Sequence, residues 1–169
     1  MTLSASERLE NIDLALRLML DRVGDKGCEH VFIEPDTPAF AAVFPTTWRE
    51  LLRQRLVKPS TPRYYLLSGE GWLRAMELTE RLDEEFDRKI GDLCAFLKRK
   101  VESGRREKGL TELSEIARST GLSAGWVFNA IDSHVLATRY NVVEAYWLPG
   151  DSMKNCVEIP PDFGMNRLE

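Results

Sequence analysis

A tight turn at residues 120–122 constrains the fold more than any other feature of this 169-residue sequence. Gly121 stands at its centre, and glycine readily adopts the left-handed backbone conformation that closes a short connection between helices. Before the turn, Leu113 and Ile116 recur at helical spacing, and after it Ser123 is well placed to cap a second helix. The pattern predicts two short helices joined by this turn.

The residues that follow these helices predict a β-hairpin. Residues 139–147 alternate in the manner of a half-buried strand, a turn follows at 148–151, and residues 155–159 can return as the second strand. The run LTELSEIARSTGLSAGWVFNAIDSHVL, residues 110–136, resembles a helix-turn-helix in which Thr111 caps the first helix. Together with the hairpin, this segment resembles a winged helix-turn-helix module.

The first part of the chain predicts a similar order of elements. Ser4 or Ser6 can cap a first helix. The apolar side chains of that helix follow helical spacing and are Leu9, Ile12, Leu16, Met19, Leu20 and Val23. A β-prone segment at 30–33 comes next, then a brief helix at 39–42 and a third helix that starts at Thr46 or Thr47.

The run LVKPSTPRYYLLSGEGWLRAMEL, residues 56–78, predicts a strand at 56–58, a strand at 63–67 and a helix capped by Ser68. It resembles the end of many bacterial winged-helix regulators. In those proteins a leucine-valine strand, a wing, an aromatic strand and a glycine-containing helix start follow the recognition helix. The resemblance implies that the helix before residue 56 occupies the recognition position.

The sequence therefore predicts a mainly α-helical chain with small β-hairpins (α+β), built as tandem winged-helix modules joined by a long charged helix over residues 78–103. The expected divisions are 1–80 for the first module, 81–109 for the linking helix and basic connector, 110–160 for the second module and 161–169 for a loose C-terminal tail. The alternative is a single winged helix at 110–160 on an unrelated helical domain.

No set of residues predicts catalysis. The sequence has two histidines, His30 and His134, and neither has partners at the spacing of a Ser–His–Asp or Cys–His arrangement. Cys28 and His30 lie close together but lack the second pair of ligands that tetrahedral zinc requires. We expect no enzymatic activity, no cofactor and no metal site.

Cysteine content and hydropathy indicate a cytoplasmic protein. The three cysteines are widely separated and odd in number, which is typical of a reducing compartment rather than of a disulfide framework. The chain has no apolar run of the length that a membrane span needs, and its first residues do not predict a secretory signal.

The net charge of −4 argues against a protein whose whole surface binds nucleic acid, so DNA binding depends on local clusters of cations. One cluster lies on the recognition-position helix and wing of the first module: Arg49, Arg53, Arg55, Lys58 and Arg63. A second lies at the end of the long helix and in the connector: Lys98, Arg99, Lys100, Arg105 and Arg106. These are the candidate ligands of double-stranded DNA. The alternative is that they are solvated side chains paired with neighbours such as Glu50.

The recognition-position helix of the second module contains no lysine or arginine between residues 123 and 133. Asn129 can hydrogen-bond adenine, but Asp132 would be repelled by phosphates. Trp126 is either the anchor of a protein-binding surface or a core residue. Trp126, Asn129 and Asp132 are therefore the candidate partner-binding residues.

Two hypotheses of function follow. In the first, a DNA-binding regulator or accessory factor contacts DNA mainly through the first module. In the second, a non-catalytic adaptor subunit uses its winged helices for protein–protein contacts, an architecture similar to that of the tandem winged-helix partners of chromosome-organising ATPases. A protein partner or a homodimer is compatible with both.

Overall fold

A computed structural model describes residues 4–24, 32–33, 45–61, 64–103, 109–133, 136, 144–146 and 156–159 of the chain. The elements in these ranges are α1 (Ala5–Val23), β1 (Phe32–Ile33), α2 (Pro45–Arg53), β2 (Val57–Thr61), β3 (Tyr64–Leu67), α3 (Gly69–Leu78), α4 (Glu84–Ser103), β4 (Gly109–Glu112), α5 (Leu113–Thr120), α6 (Ala124–Asp132), β5 (Glu144–Tyr146) and β6 (Cys156–Ile159). Helices with small antiparallel sheets confirm the expected α+β class. The helix predicted at 39–42 lies outside the described residues.

Two three-stranded antiparallel sheets have the same strand order. In the first, β3 lies between β1 and β2, with Leu67 opposite Val57. In the second, β6 lies between β4 and β5, with Val157 opposite Ala145. In each sheet, therefore, the first strand along the chain pairs with the last strand of the hairpin that follows the helices.

The start and the end of α1 depend on contacts within a few residues. Glu7 N donates to Ser4 Oγ at 3.2 Å and Ser4 N donates to Glu7 Oε2 at 2.8 Å, so Ser4 rather than Ser6 caps the helix. Gly24, with φ of 54°, ends it. The predicted apolar face is buried except at Leu9, whose side chain is 51% exposed.

The predicted single helix over residues 78–103 is wrong at its start, because a turn separates α3 from α4. Glu80 adopts a left-handed φ of 57° just beyond the end of α3. Asp83 Oδ1 then accepts a hydrogen bond from Phe86 N at 3.0 Å, which satisfies a backbone donor in the first turn of α4. The left-handed Glu80 and the cap at Asp83 both depend on nearby residues. They were missed because the whole segment is highly charged, which is typical of one exposed helix.

The turn predicted at Gly121 is confirmed, since this residue has φ of 75° and ends α5. Ser123 caps α6 as predicted, with its Oγ 3.0 Å from Trp126 N. The prediction that Thr111 caps a helix is wrong. This residue lies in β4 opposite Val157, and pairing with a strand so distant in the chain leaves no local signal.

One continuous hydrophobic core joins the two halves of the described chain, of which the first runs from α1 to α3 and the second from α4 to β6. Its central rings are Trp72 of α3, Phe86 of α4 and Trp126 of α6, with centroids 5.7 to 6.0 Å apart. Gly69 lies so close to α6 that a Cβ added to it would be 2.2 Å from Ser133 N. The expected division of the chain into modules stays a prediction, and the two halves share this core.

Candidate nucleic-acid interface

The helix α2 has a buried face and an exposed basic face. Leu51 is fully buried, and the ring of Trp48 meets that of Tyr65 edge-on at 5.1 Å. Arg49 and Arg53 are exposed on the helix, one turn apart. This division follows from helical spacing, because the apolar positions of α2 recur on the side that faces the core.

Arg53 donates to Glu50 through two of its nitrogen atoms. Arg53 Nε lies 3.0 Å from Glu50 Oε2, and Arg53 Nη2 bonds Glu50 Oε1. Gln54 Nε2 donates to the same Oε1 at 2.9 Å. Hydrogen bonds from Arg53 and then from Gln54 lower the pKa of Glu50 to about 2. The carboxylate is therefore ionised at neutral pH and orients the guanidinium, whose side chain remains 72% exposed.

Arg55 is exposed and stands just beyond α2 in a left-handed conformation, with φ of 58°. Its N–H bonds the Leu52 carbonyl at 3.1 Å, and the N–H of Leu56 bonds the Leu51 carbonyl at 2.9 Å. These two bonds form a Schellman motif at the end of the helix, in which the left-handed residue is usually glycine. For an L-residue this conformation costs roughly 1–2 kcal/mol, so the backbone at Arg55 is strained.

Lys58 faces the second half of the chain. Its Nζ lies 3.1 Å from Asp132 Oδ2 and 4.8 Å from the centroid of the Phe128 ring. The same Asp132 oxygen accepts a hydrogen bond from Gly69 N at 2.7 Å. Lys58 was predicted as a DNA ligand beside the wing; in the structure its charge is paired with that of Asp132 where β2, α3 and α6 meet.

The second predicted cluster of cations is described only in part. Lys98 and Arg99 are exposed on α4. Lys100 Nζ bonds Glu115 Oε1 at 2.7 Å, which ties α4 to α5. Three further candidates lie outside the described residues: Arg63, Arg105 and Arg106.

The expectation of an exposed partner-binding surface on α6 is wrong for two of its three residues. Trp126 is 3% exposed and Asn129 is 0% exposed, so the alternative of a core tryptophan is the correct one. Asp132 is half-buried and bonded to Lys58 and Gly69. The reason is tertiary, since α6 packs against α3 and every residue from 125 to 131 is buried.

Arg8 borders the α2 site, although no pattern in the sequence indicated this position. A groove between α1 and α2 is lined by Ala5, Arg8, Leu9, Ile12, Glu50, Arg53 and Gln54. The positive charge of Arg8 contributes to the lowered pKa of Glu50. The spacing of Glu50, Arg53 and Gln54 was a usable signal for their cluster. The approach of α1 to this cluster could not be predicted in the same way, because it brings together distant parts of the chain.

Within the described ranges, no helix is both long enough and apolar enough to cross a membrane. The same residues contain no group of three or more His, Cys, Asp and Glu side chains placed to hold a metal ion. Compared with known proteins, the chain matches no protein-family model, no curated protein and no solved structure. The geometry of α2 is therefore the basis for assigning a function.

Proposed function

We propose that this chain is a double-stranded DNA-binding protein of the winged-helix type, a transcriptional regulator or accessory factor, and that α2 contacts the DNA. One observation carries the proposal: Arg49, Arg53 and Arg55 are all exposed on a single helix and its terminal turn. A helix of this kind fits the major groove, and arginines on it neutralise phosphates or bond base edges.

The order of elements supports the winged-helix assignment. α2 is followed directly by the β2–β3 hairpin, as a recognition helix is followed by a wing, and the strand order β1-β3-β2 recurs as β4-β6-β5. In the second half, α4 and β4 likewise come before two helices, α5 and α6, and the β5–β6 hairpin. On this proposal α4 is the first helix of the second module rather than a separate linker.

DNA contact is proposed for the first half of the chain alone. In the second half α6 holds the position that corresponds to α2, and residues 125–131 of α6 are buried. The ion pair of Asp132 with Lys58 fixes α6 against the first half at 3.1 Å. Residues buried in this way do not reach a DNA groove while the fold is intact.

Replacing Arg49 and Arg53 together by alanine is expected to weaken binding to random duplex DNA about tenfold or more, because two cations are lost from the interface. The dependence of affinity on salt should also become shallower by about one unit of slope for each lost phosphate contact. The measurement is fluorescence anisotropy with a labelled duplex at two salt concentrations. The unaltered protein should bind in the micromolar range at low salt and weaken steeply as salt rises.

Arg88→Ala is the matched control for this experiment. Arg88 is an exposed arginine of α4 that pairs with Asp92 at 3.2 Å, one helical turn away. Its removal deletes one positive charge from another surface, half of what the double variant loses, and should leave the affinity within about twofold. An equal loss in both variants would point to net charge alone and contradict α2 as the contact site.

Absence of DNA binding by the unaltered protein at low salt would contradict the proposal and favour the adaptor role. Exposed leucines on α1 support that second candidate function. Leu14 and Leu18 lie one turn apart and are 46% and 39% exposed. Apolar side chains grouped on a solvent-facing helix are a feature of protein contact surfaces. A chain that fails to bind DNA but self-associates in sedimentation velocity would support this role.

Arg55→Gly is expected to stabilise the fold and weaken DNA binding at once. Glycine relieves the left-handed strain, so the free energy of unfolding should rise by about 0.5–1 kcal/mol, while the interface loses one cation. Glu80→Gly is the control, because Glu80 has a similar φ of 57° beyond the end of α3. It should stabilise to the same degree and leave DNA affinity within about twofold. Urea unfolding and the anisotropy titration measure the two effects. Unchanged DNA affinity in Arg55→Gly would remove Arg55 from the interface.

A further inference from the structure

Two arginine–carboxylate pairs on exposed helix faces differ in geometry. Arg88 bonds Asp92 through Nη1 alone, at 3.2 Å. Arg53 bonds Glu50 through Nε and Nη2, so the carboxylate lies along one side of the guanidinium. A guanidinium has five N–H donors in a rigid plane. Two other N–H groups point from the tip of Arg53, one on Nη1 and one on the outer side of Nη2. Glu50 does not accept a hydrogen bond from these two.

We propose that Arg53, oriented by Glu50, recognises guanine in the major groove through Nη1 and Nη2. This inference rests on the proposed DNA-binding function of α2 and names the base that the same site reads. Guanine presents O6 and N7 side by side as acceptors, and the tip of an arginine matches both. Glu50 is a positioning residue, because it contacts Arg53 and not the DNA.

The carboxylate of Glu50 makes Arg53 better suited to a base edge than to a phosphate. A phosphate that approached this guanidinium would meet a second anion hydrogen-bonded to it, and the two negative charges repel each other. A guanine edge is neutral overall and offers acceptors without that repulsion. The orientation fixed by two hydrogen bonds also reduces the side-chain freedom that Arg53 loses on binding.

Gln54 keeps the carboxylate of Glu50 in place. Its Nε2 donates to Glu50 Oε1 at 2.9 Å, so this oxygen receives bonds from both Gln54 and Arg53. The Glu50 side chain is 29% exposed, and its pKa of about 2 keeps it ionised at neutral pH. Both carboxylate oxygens of Glu50 therefore accept hydrogen bonds within the protein. They orient Arg53 and do not accept a hydrogen bond from the amino group of a cytosine.

The test begins with selection of the best-bound sequences from a pool of random duplexes of about 20 base pairs, long enough for one reading helix and its flanking phosphates. The enriched duplex is then compared with the same duplex carrying 7-deazaguanine, which lacks the N7 acceptor but keeps every phosphate and base pair. We expect enrichment of a guanine-containing site, and a loss of affinity of about tenfold when the guanine that Arg53 contacts is replaced.

Substitution of Glu50 separates base recognition from charge. Glu50→Ala removes one negative charge, so affinity for random duplex DNA should rise about two- to fivefold. At the same time the preference for the selected duplex over its 7-deazaguanine form should fall about tenfold, because Arg53 is no longer held. Glu50→Gln removes the charge with little change in shape and should act in the same direction. Asp92→Ala, which frees Arg88 on α4, is the matched control and should leave the preference unchanged.

The possible outcomes separate this inference from the function on which it rests. Failure of the unaltered protein to bind any duplex at low salt overturns both. Binding to random DNA without enrichment of a guanine-containing site, or without loss on 7-deazaguanine substitution, overturns guanine recognition alone. Retention of the full preference in both Glu50 variants, with circular dichroism showing native helix content, overturns the positioning role of Glu50.

Discussion

Gly69→Ala is expected to destabilise the protein by about 3 kcal/mol or more, because it forces the two halves apart. A Cβ at this position would lie 2.2 Å from Ser133 N and 2.3 Å from the carbonyl carbon of Asp132. Both are backbone atoms, which cannot turn away as a flexible side chain can. The substitution also displaces Gly69 N from Asp132 Oδ2, a hydrogen bond of 2.7 Å. Urea unfolding measures the loss, and the melting temperature should fall by roughly 6–12 °C for a chain of this size.

Gly91→Ala makes the same chemical change in a different environment. Gly91 lies exposed on α4, and nothing stands within 4 Å of the position that its Cβ would take. Alanine is the better helix former, so this variant should be more stable by up to about 1 kcal/mol. Opposite signs for the two glycines would establish the close contact of α3 with α6. A Gly69→Ala variant as stable as the unaltered protein would show that the halves do not pack as described.

Trp72→Ala is expected to cost about 3–5 kcal/mol, the range for removing a large aromatic side chain from a core. Trp72 is fully buried, with its ring 6.0 Å from that of Phe86 and 5.7 Å from that of Trp126. The cavity would open where α3, α4 and α6 meet, so both halves should lose stability together. Chemical unfolding followed by circular dichroism measures this effect as a shift of one cooperative transition.

Two further variants are controls for the stability loss expected in Trp72→Ala. Trp72→Phe should recover a large part of the loss, because most of the apolar contact is kept. Trp72 Nε1 has no hydrogen-bond partner within the described part of the chain, so phenylalanine leaves no group of that part newly unpaired. Leu82→Ala, at an exposed position, should change stability by less than about 0.5 kcal/mol. Melting of one half alone in Trp72→Ala would contradict a shared core.

Local features of this fold were predictable because their causes lie within three or four residues. The caps at Ser68 and Ser123 each satisfy a backbone N–H three residues further on, at 3.0 Å in both cases. Gly121 supplies the left-handed turn between α5 and α6. Interactions of this range are present in any chain that carries these residues in this order.

The candidate site was predictable in part for the same reason. Arg49 and Arg53 were expected on one face of a helix, and both are exposed on α2. Helical spacing decides which residues share a face, whatever the rest of the chain does. Arg8 was not predicted, because its place beside Glu50 depends on how α1 packs against α2.

Residues close together in the chain set the starts of α3 and α6, the turn at Gly121, the apolar face of each helix and the exposed arginines of α2. Tertiary structure alone decided that residue 111 is in a strand, that Trp126 and Asn129 are in the core, and that Lys58 pairs with Asp132. The physical reason is distance along the chain. Strand pairing, burial between halves and ion pairs such as this one depend on groups many residues apart, whose meeting is set by the packing of the whole core.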